Sequence, residues 1–120
     1  VPEEEKNNII SAFDEYIKAF NEKDLERYKN IISKNAKGFN YEEDIQAVSA
    51  VFNQYDVKRT AEDITIVNYS EDEAQVFSNL KAETKEIKTG AELSGVGRQV
   101  TVFMKEDGWK VSSIYYIGSE

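Results

Sequence analysis

The apolar periodicity of this chain changes once, near residue 56, and that change restricts the fold more than any other feature. Before it, apolar side chains recur at three- and four-residue spacing; after it they recur at two. Ile9, Phe13, Tyr16, Ile17 and Phe20, with Ala12 and Ala19 on the same side, predict an amphipathic helix over residues 4–22. Glu3, Glu4 and Glu5 stand where carboxylates favour the positive end of its dipole. Asp24 reads as the N-cap of a second helix running to about Lys34, striped by Leu25, Tyr28, Ile31 and Ile32. Asn40 and Glu43 have the spacing of a capping box for a third helix, whose stripe is Ile45, Val48, Val51, Phe52 and Tyr55.

From residue 57 the pattern predicts long strands. Residues 57–69 end in a β-rich run, and Ser70-Glu71-Asp72 make a turn. Residues 73–88 alternate with Ala74, Val76, Ser78, Leu80 and Ala82 on one side, and Thr89-Gly90 turn again. A strand over about 92–105 and a last one from Trp109 form a hairpin across Glu106-Asp107-Gly108. Helices first and an antiparallel meander afterwards make this α+β and exclude a βαβ nucleotide fold. Strands this long twist and curl, and Gly95 and Gly97 read as sites for a bulge or bend. With no repeat, linker or low-complexity tract, residues 1–120 are expected to form a single domain.

Composition narrows the chemistry. A net charge of −8 argues against nucleic acid and against an anionic membrane surface. No apolar run approaches a membrane span, so no membrane insertion is expected. The chain has no Cys and no His, which removes thiolate chemistry, His-ligated zinc and every triad or dyad that needs imidazole. The acidic runs Glu42-Glu43-Asp44 and Glu71-Asp72-Glu73 lack the alternating ligands of a calcium loop. Neither a metal nor a cofactor is expected. The chain opens Val-Pro-Glu-Glu-Glu instead of with Met, which reads either as a processed, extracytoplasmic protein that has lost a signal or anchor segment or as a piece of a longer protein; a cytoplasmic origin stays open.

Two stretches, FDEYIKAFNEKDLERYKNII and QVTVFMKEDGWKVSSIYY, resemble the nuclear transport factor 2-like superfamily, also called SnoaL-like or ketosteroid-isomerase-like, with a cystatin-like cone. The resemblance implies a bacterial protein with a curved, mostly antiparallel sheet, mixed at most in part, wrapped round the N-terminal helix with two further helices. It also implies a pocket at the wide end of the cone and dimerisation through the outer face of the sheet.

The isomerase branch of that family uses a helix Tyr, a carboxylate base and a neutral strand Asp. Tyr16 matches the first, but the other two positions fall at about Asn40 and Val100, and neither can serve. The dehydratase branch needs a His. No catalytic residue is therefore assigned. The expected function is a binding or association domain with a small-molecule pocket; the alternative is a SnoaL-like isomerase, cyclase or dehydratase using Tyr16 and an unidentified carboxylate.

The candidate pocket residues are Tyr16, Phe20, Asn40, Phe52, Tyr55, Arg98 and Val100. The guanidinium of Arg98 would suit an anionic ligand and the aromatics an apolar one. Phe39 and Tyr41 beside Asn40 fit a pocket rim, or a hydrophobic staple on the third helix. Alternation places Arg98, Val100 and Val102 toward the helices and leaves Thr101 and Phe103 on the outer face, joined either by Trp109, Val111 and Tyr115 or by Ile114 and Tyr116, the candidate set being Thr101, Phe103, Ile114 and Tyr116. Those four are the candidate seam of a homodimer.

Overall fold

The computed structural model describes residues 1–118. Three helices, α1 (Glu3–Asn21), α2 (Leu25–Ile31) and α3 (Tyr41–Gln54), precede four strands, β1 (Tyr55–Tyr69), β2 (Glu73–Glu86), β3 (Glu92–Lys105) and β4 (Trp109–Tyr116). The strands form a curved antiparallel meander in the order β1-β2-β3-β4. Its parallel element is a single bridge between Ile32 and Val111.

Local chemistry sets the helix starts. The Asp24 carboxylate accepts the Arg27 backbone N–H, and Asn40 Oδ1 accepts that of Glu43 at 2.9 Å. α1 buries its whole apolar stripe, from Ile9 to Phe20, against the sheet. Arg27 forks onto both carboxylate oxygens of Glu15 at 2.7 and 2.8 Å, tying α2 to α1.

Residues directly opposite one another in a sheet share a face. The helix-facing rows are therefore Ala74–Phe103–Val111 and Val76–Thr101–Ile114, continuing through Ser78–Gln99–Tyr116 to Leu80–Gly97. The outer rows are Gln75–Val102–Ser113 and Phe77–Val100–Tyr115, with Asn79 opposite Arg98. This reverses the faces expected from alternation. Thr101 and Phe103, both 0% exposed, lie under the helices, and Ile114 packs against the same core, so neither they nor Tyr116 can form an outer seam. Val100 and Arg98 face outward, away from the helices.

Two causes account for the reversal. Val100, Thr101, Val102 and Phe103 are all buried, so alternation along β3 carries no direction. In β4, Ser112 is an extra residue: Val102 pairs with Ser113 and Phe103 already with Val111. This bulge lets Trp109 and Val111 share a face with Ile114 and Tyr116.

On the outer face, Val100 and Val102 are covered from within the chain. The Tyr115 hydroxyl donates to Gln75 Oε1 at 3.1 Å, so its side chain crosses β3 from β4 to β2. Beneath it Val100 and Val102 keep 1% and 8% of their surface exposed. The β4 edge is covered by the segment after α2: the Ser33 N–H donates to the Val111 carbonyl and the Gly38 N–H to that of Ser112. Gly38 has to be glycine there, because a Cβ would stand 2.5 Å from Ser113 Oγ and 3.0 Å from its Cα.

The bends also differ from expectation. β2 and β3 pair without a register shift through Gly95 and Gly97. The irregularities lie in β1, between Glu62 and Thr65 and between Ile66 and Asn68, with Asp63 at φ 56°. β4 ends opposite Gln99, so beyond it β1, β2 and β3 continue as a three-stranded ribbon. That ribbon positions the candidate site.

Candidate binding groove

The core between the helices and the sheet is closed by aromatic rings. Phe20 and Phe52 meet edge to face at 5.3 Å, and Tyr28 lies 6.3 and 6.5 Å from them. Tyr16 lies 6.2 Å from Tyr28 and is fully buried. Of the expected pocket residues, Tyr16, Phe20 and Phe52 are thus gathered in one place, as a plug and not as a lining. Phe39 and Tyr41 are part-buried against this core. Asn40 caps α3, and Tyr55 stands at the α3–β1 junction on the helix-facing side.

The plug contains one acid that the sequence presents only as part of a charged helix start. Asp44, in the first turn of α3, accepts a 2.7 Å hydrogen bond from the Tyr28 hydroxyl. Burial raises its proton affinity above the ordinary carboxylate range, against the opposing pull of the Tyr28 hydroxyl and the Arg59 guanidinium. Burial likewise raises the affinity of both phenols for their protons, and the neighbouring Tyr16 adds to the effect at Tyr28.

Arg59 stands at the outer end of the plug. Its guanidinium lies 3.8 Å above the centre of the Phe20 ring. Asn21, the last residue of α1, holds its backbone: the side-chain amide donates to the Arg59 carbonyl and accepts the Arg59 N–H, each at 2.8 Å. A side chain here takes the place of a missing neighbouring strand. The signal for Arg59 was present in the sequence, since Val57, Arg59 and Ala61 alternate with Asp56, Lys58 and Thr60, and one cation falls on the apolar side.

Beyond Arg59 the helix-facing side of the ribbon forms a groove of about 360 Å³. Leu80, Ala82 and Leu93 supply apolar surface, and Gly95 and Gly97 leave the floor without side chains. Tyr116 leans over Gly97, its ring 3.7 Å from where a Cβ would be. The groove therefore combines an apolar trough with a guanidinium at its inner end. Arg98 takes no part in it. The opposite side of the ribbon carries a larger hollow, about 460 Å³, in which Lys58, Lys81 and Lys85 alternate with Asp56, Glu83 and Glu92. Lys81 there pairs with Glu83 at 3.4 Å. No helix among the described residues is long and apolar enough to cross a membrane.

Solved structures share this architecture. A protein from Novosphingobium aromaticivorans, provisionally named an aromatic ring hydroxylase, superposes with a TM-score of 0.86 at 14% identity, covering 99% of this chain and 93% of its own. A nuclear transport factor 2-like superfamily protein from Salmonella enterica gives 0.83 at 13% identity, covering 96% and 91%. A Streptomyces avermitilis protein, provisionally named a dehydratase of the NTF2-like family, gives 0.81 at 13% identity, covering 96% and 97%. At these identities the likeness establishes the fold, which is the nuclear transport factor 2-like, cystatin-like one. No curated protein matches the sequence. A family model described as anti-sigma-I factor RsgI9, C-terminal domain, matches residues 11–117.

Proposed function

This chain belongs to the anti-sigma-I factor RsgI9 C-terminal domain family, and from that premise we propose that it is a non-catalytic ligand-binding module, the input end of a regulator of that kind. The observation that carries the reading is Arg59, stacked on Phe20 and clamped by Asn21 at the inner end of an apolar groove. A guanidinium held in that way offers a preorganised fork to a carboxylate or similar anion. Leu80, Ala82 and Leu93 would take the apolar body of the same ligand.

The test is a backbone-amide NMR titration with hexanoate, and with 1-hexanol as the uncharged control. Hexanoate is expected to shift residues 80–84 and 93–97. A hydrogen bond to a charged group is worth about 1.5–3 kcal/mol, so Arg59→Gln should weaken binding at least tenfold, to the level of hexanol. Shifts confined to other surfaces, or an Arg59→Gln variant that binds as the parent does, would defeat the proposal.

One observation favours a second reading, a proton-transfer enzyme. Asp44 is an acid of raised proton affinity beside two phenols, as such chemistry requires. Against it, the Tyr28 hydroxyl already engages the Asp44 carboxylate, and the Tyr28 ring is itself packed against Phe20 and Phe52. Hexanoate-induced shifts centred on Asp44 and Tyr28 would favour this reading over the groove.

A further inference from the structure

Gly95 and Gly97 stand two apart inside β3, where glycine weakens a strand through its freedom in the unfolded chain and its missing side chain. The usual structural reasons for a glycine apply to neither. Neither has a positive φ, and the β2–β3 ladder runs past both without a register shift. Among the described residues, a Cβ on Gly95 would meet nothing within 4 Å, and one on Gly97 would meet the Tyr116 ring at 3.7 Å, an ordinary contact. A side chain fits at both positions, so the fold does not demand glycine there. What the two glycines do is keep a surface clear.

That surface is the floor of the groove beyond Arg59. On the helix-facing side, Arg59, Ala82 and Gly95 form one row across β1, β2 and β3, and Ala61, Leu80 and Gly97 form the next. Both rows end in bare backbone at β3. Leu93 bounds this shelf at its outer end and Tyr116, leaning over Gly97, at its inner end; these walls are 77% and 66% exposed. Leu93 and Gly97 are four residues of strand apart, about 13 Å. The described chain leaves this side after Tyr116, since Gly118 lies against the Arg98 guanidinium and Arg98 faces outward.

We propose that the shelf seats a planar aromatic ring whose carboxylate reaches across Ala82 to Arg59, which makes the ligand an aromatic carboxylate and Gly95 and Gly97 the residues that select it. The inference rests on the ligand-binding reading of the groove and narrows it. An alkyl chain needs a furrow one chain wide, which does not call for two cleared positions in succession. A flat ring needs a seat at van der Waals distance from the backbone with no Cβ in the way, and two successive same-face glycines supply one. The Tyr116 ring stands at the edge of that seat, in place for an offset or edge-on aromatic contact. Ala82 is the low point between the seat and the strand of Arg59, two strand spacings or about 10 Å away. Arg59 lines the same groove, so its long side chain spans part of that distance.

The test is an NMR titration of the chain with 2-naphthoate, with decahydro-2-naphthoate as a saturated control of the same carbon skeleton and charge. The planar acid is expected to bind about tenfold more tightly, its ring current moving the Gly95 and Gly97 Hα resonances upfield. Gly95→Val fills the seat and should weaken 2-naphthoate about tenfold, with hexanoate losing less. Gly97→Ala should weaken 2-naphthoate in the same direction, and it carries the binding test if Gly95→Val does not fold. Gly95→Ala should leave the urea midpoint of the free chain unchanged or higher.

Equal binding of the planar and saturated acids would overturn the proposal, and so would glycine variants that bind 2-naphthoate as the parent does. A lower urea midpoint for Gly95→Ala would also overturn it, because the fold itself would then require the glycine. In each case hexanoate binding that depends on Arg59 would leave the broader reading of the groove intact. If hexanoate and both ring acids left residues 80–84 and 93–97 unshifted, that reading would fall as well.

Discussion

Replacing Phe103 by Ala tests the assignment of the sheet faces directly. Phe103 is wholly buried between Ala74 and Val111, neighbours too small or too constrained by the ladder to fill the space a phenyl ring leaves. Deleting a core Phe costs about 3–5 kcal/mol, a large part of the roughly 5–15 kcal/mol that stabilises a domain. Val102, the adjacent residue, faces outward beneath Tyr115; its change to Ala removes two methylene equivalents, about 1.5 kcal/mol.

Urea unfolding followed by the fluorescence of Trp109, the sole tryptophan and itself buried in the same core, would measure both variants. With a urea dependence of about 2 kcal/mol per molar, the Phe103→Ala midpoint should fall by about 2 M and that of Val102→Ala by less than 1 M. Phe103→Glu should fail to fold, because a carboxylate there would be buried unpaired. If Phe103→Ala were the milder of the two, or Phe103→Glu gave a folded protein of altered oligomeric state, Phe103 would face outward and the register described here would be wrong.

Two further outcomes follow from individual contacts. Asp44 binds its proton more tightly folded than unfolded, so its contribution to stability is present below about pH 4 and is lost as pH rises through its elevated folded value. Urea melts at about pH 3 and pH 7 should therefore show Asp44→Asn gaining on the parent as pH rises; a constant or falling difference would contradict the burial of that acid. Gly38→Ala should cost about 1–3 kcal/mol, because the new methyl meets Ser113. Thermal melts of Gly38→Ala alone and with Ser113→Gly should show most of that loss recovered in the pair, and a neutral Gly38→Ala would disprove the close approach.

The elements themselves were legible from periodicity, and the strand starts at Glu73, Glu92 and Trp109 were read correctly. Orientation was not. A strand with Val100, Thr101, Val102 and Phe103 in succession has no polar side to mark solvent, and the extra residue at Ser112 has no sequence signature. At the site, Tyr16, Phe20 and Phe52 were visible as a stripe, but spacing along one helix cannot tell a lining from a plug; that depends on Tyr28 and Phe52 arriving from elsewhere. Asn21 was illegible for another reason. An Asn ending a helix reads as a cap, and its contact with Arg59, 38 residues away, exists only once α1 and β1 lie side by side.

That contact has a consequence for assembly. A sheet edge with free backbone groups is a template on which further strands can add. The Asn21 amide already occupies the free backbone groups of β1 at Arg59, and the register shifts at Glu62–Thr65 and Ile66–Asn68 break the straight template farther along. With that flank sealed, an extended segment finds no run of free backbone groups on β1 to add to, and a short polar side chain at the end of α1 does what a covering strand would otherwise do.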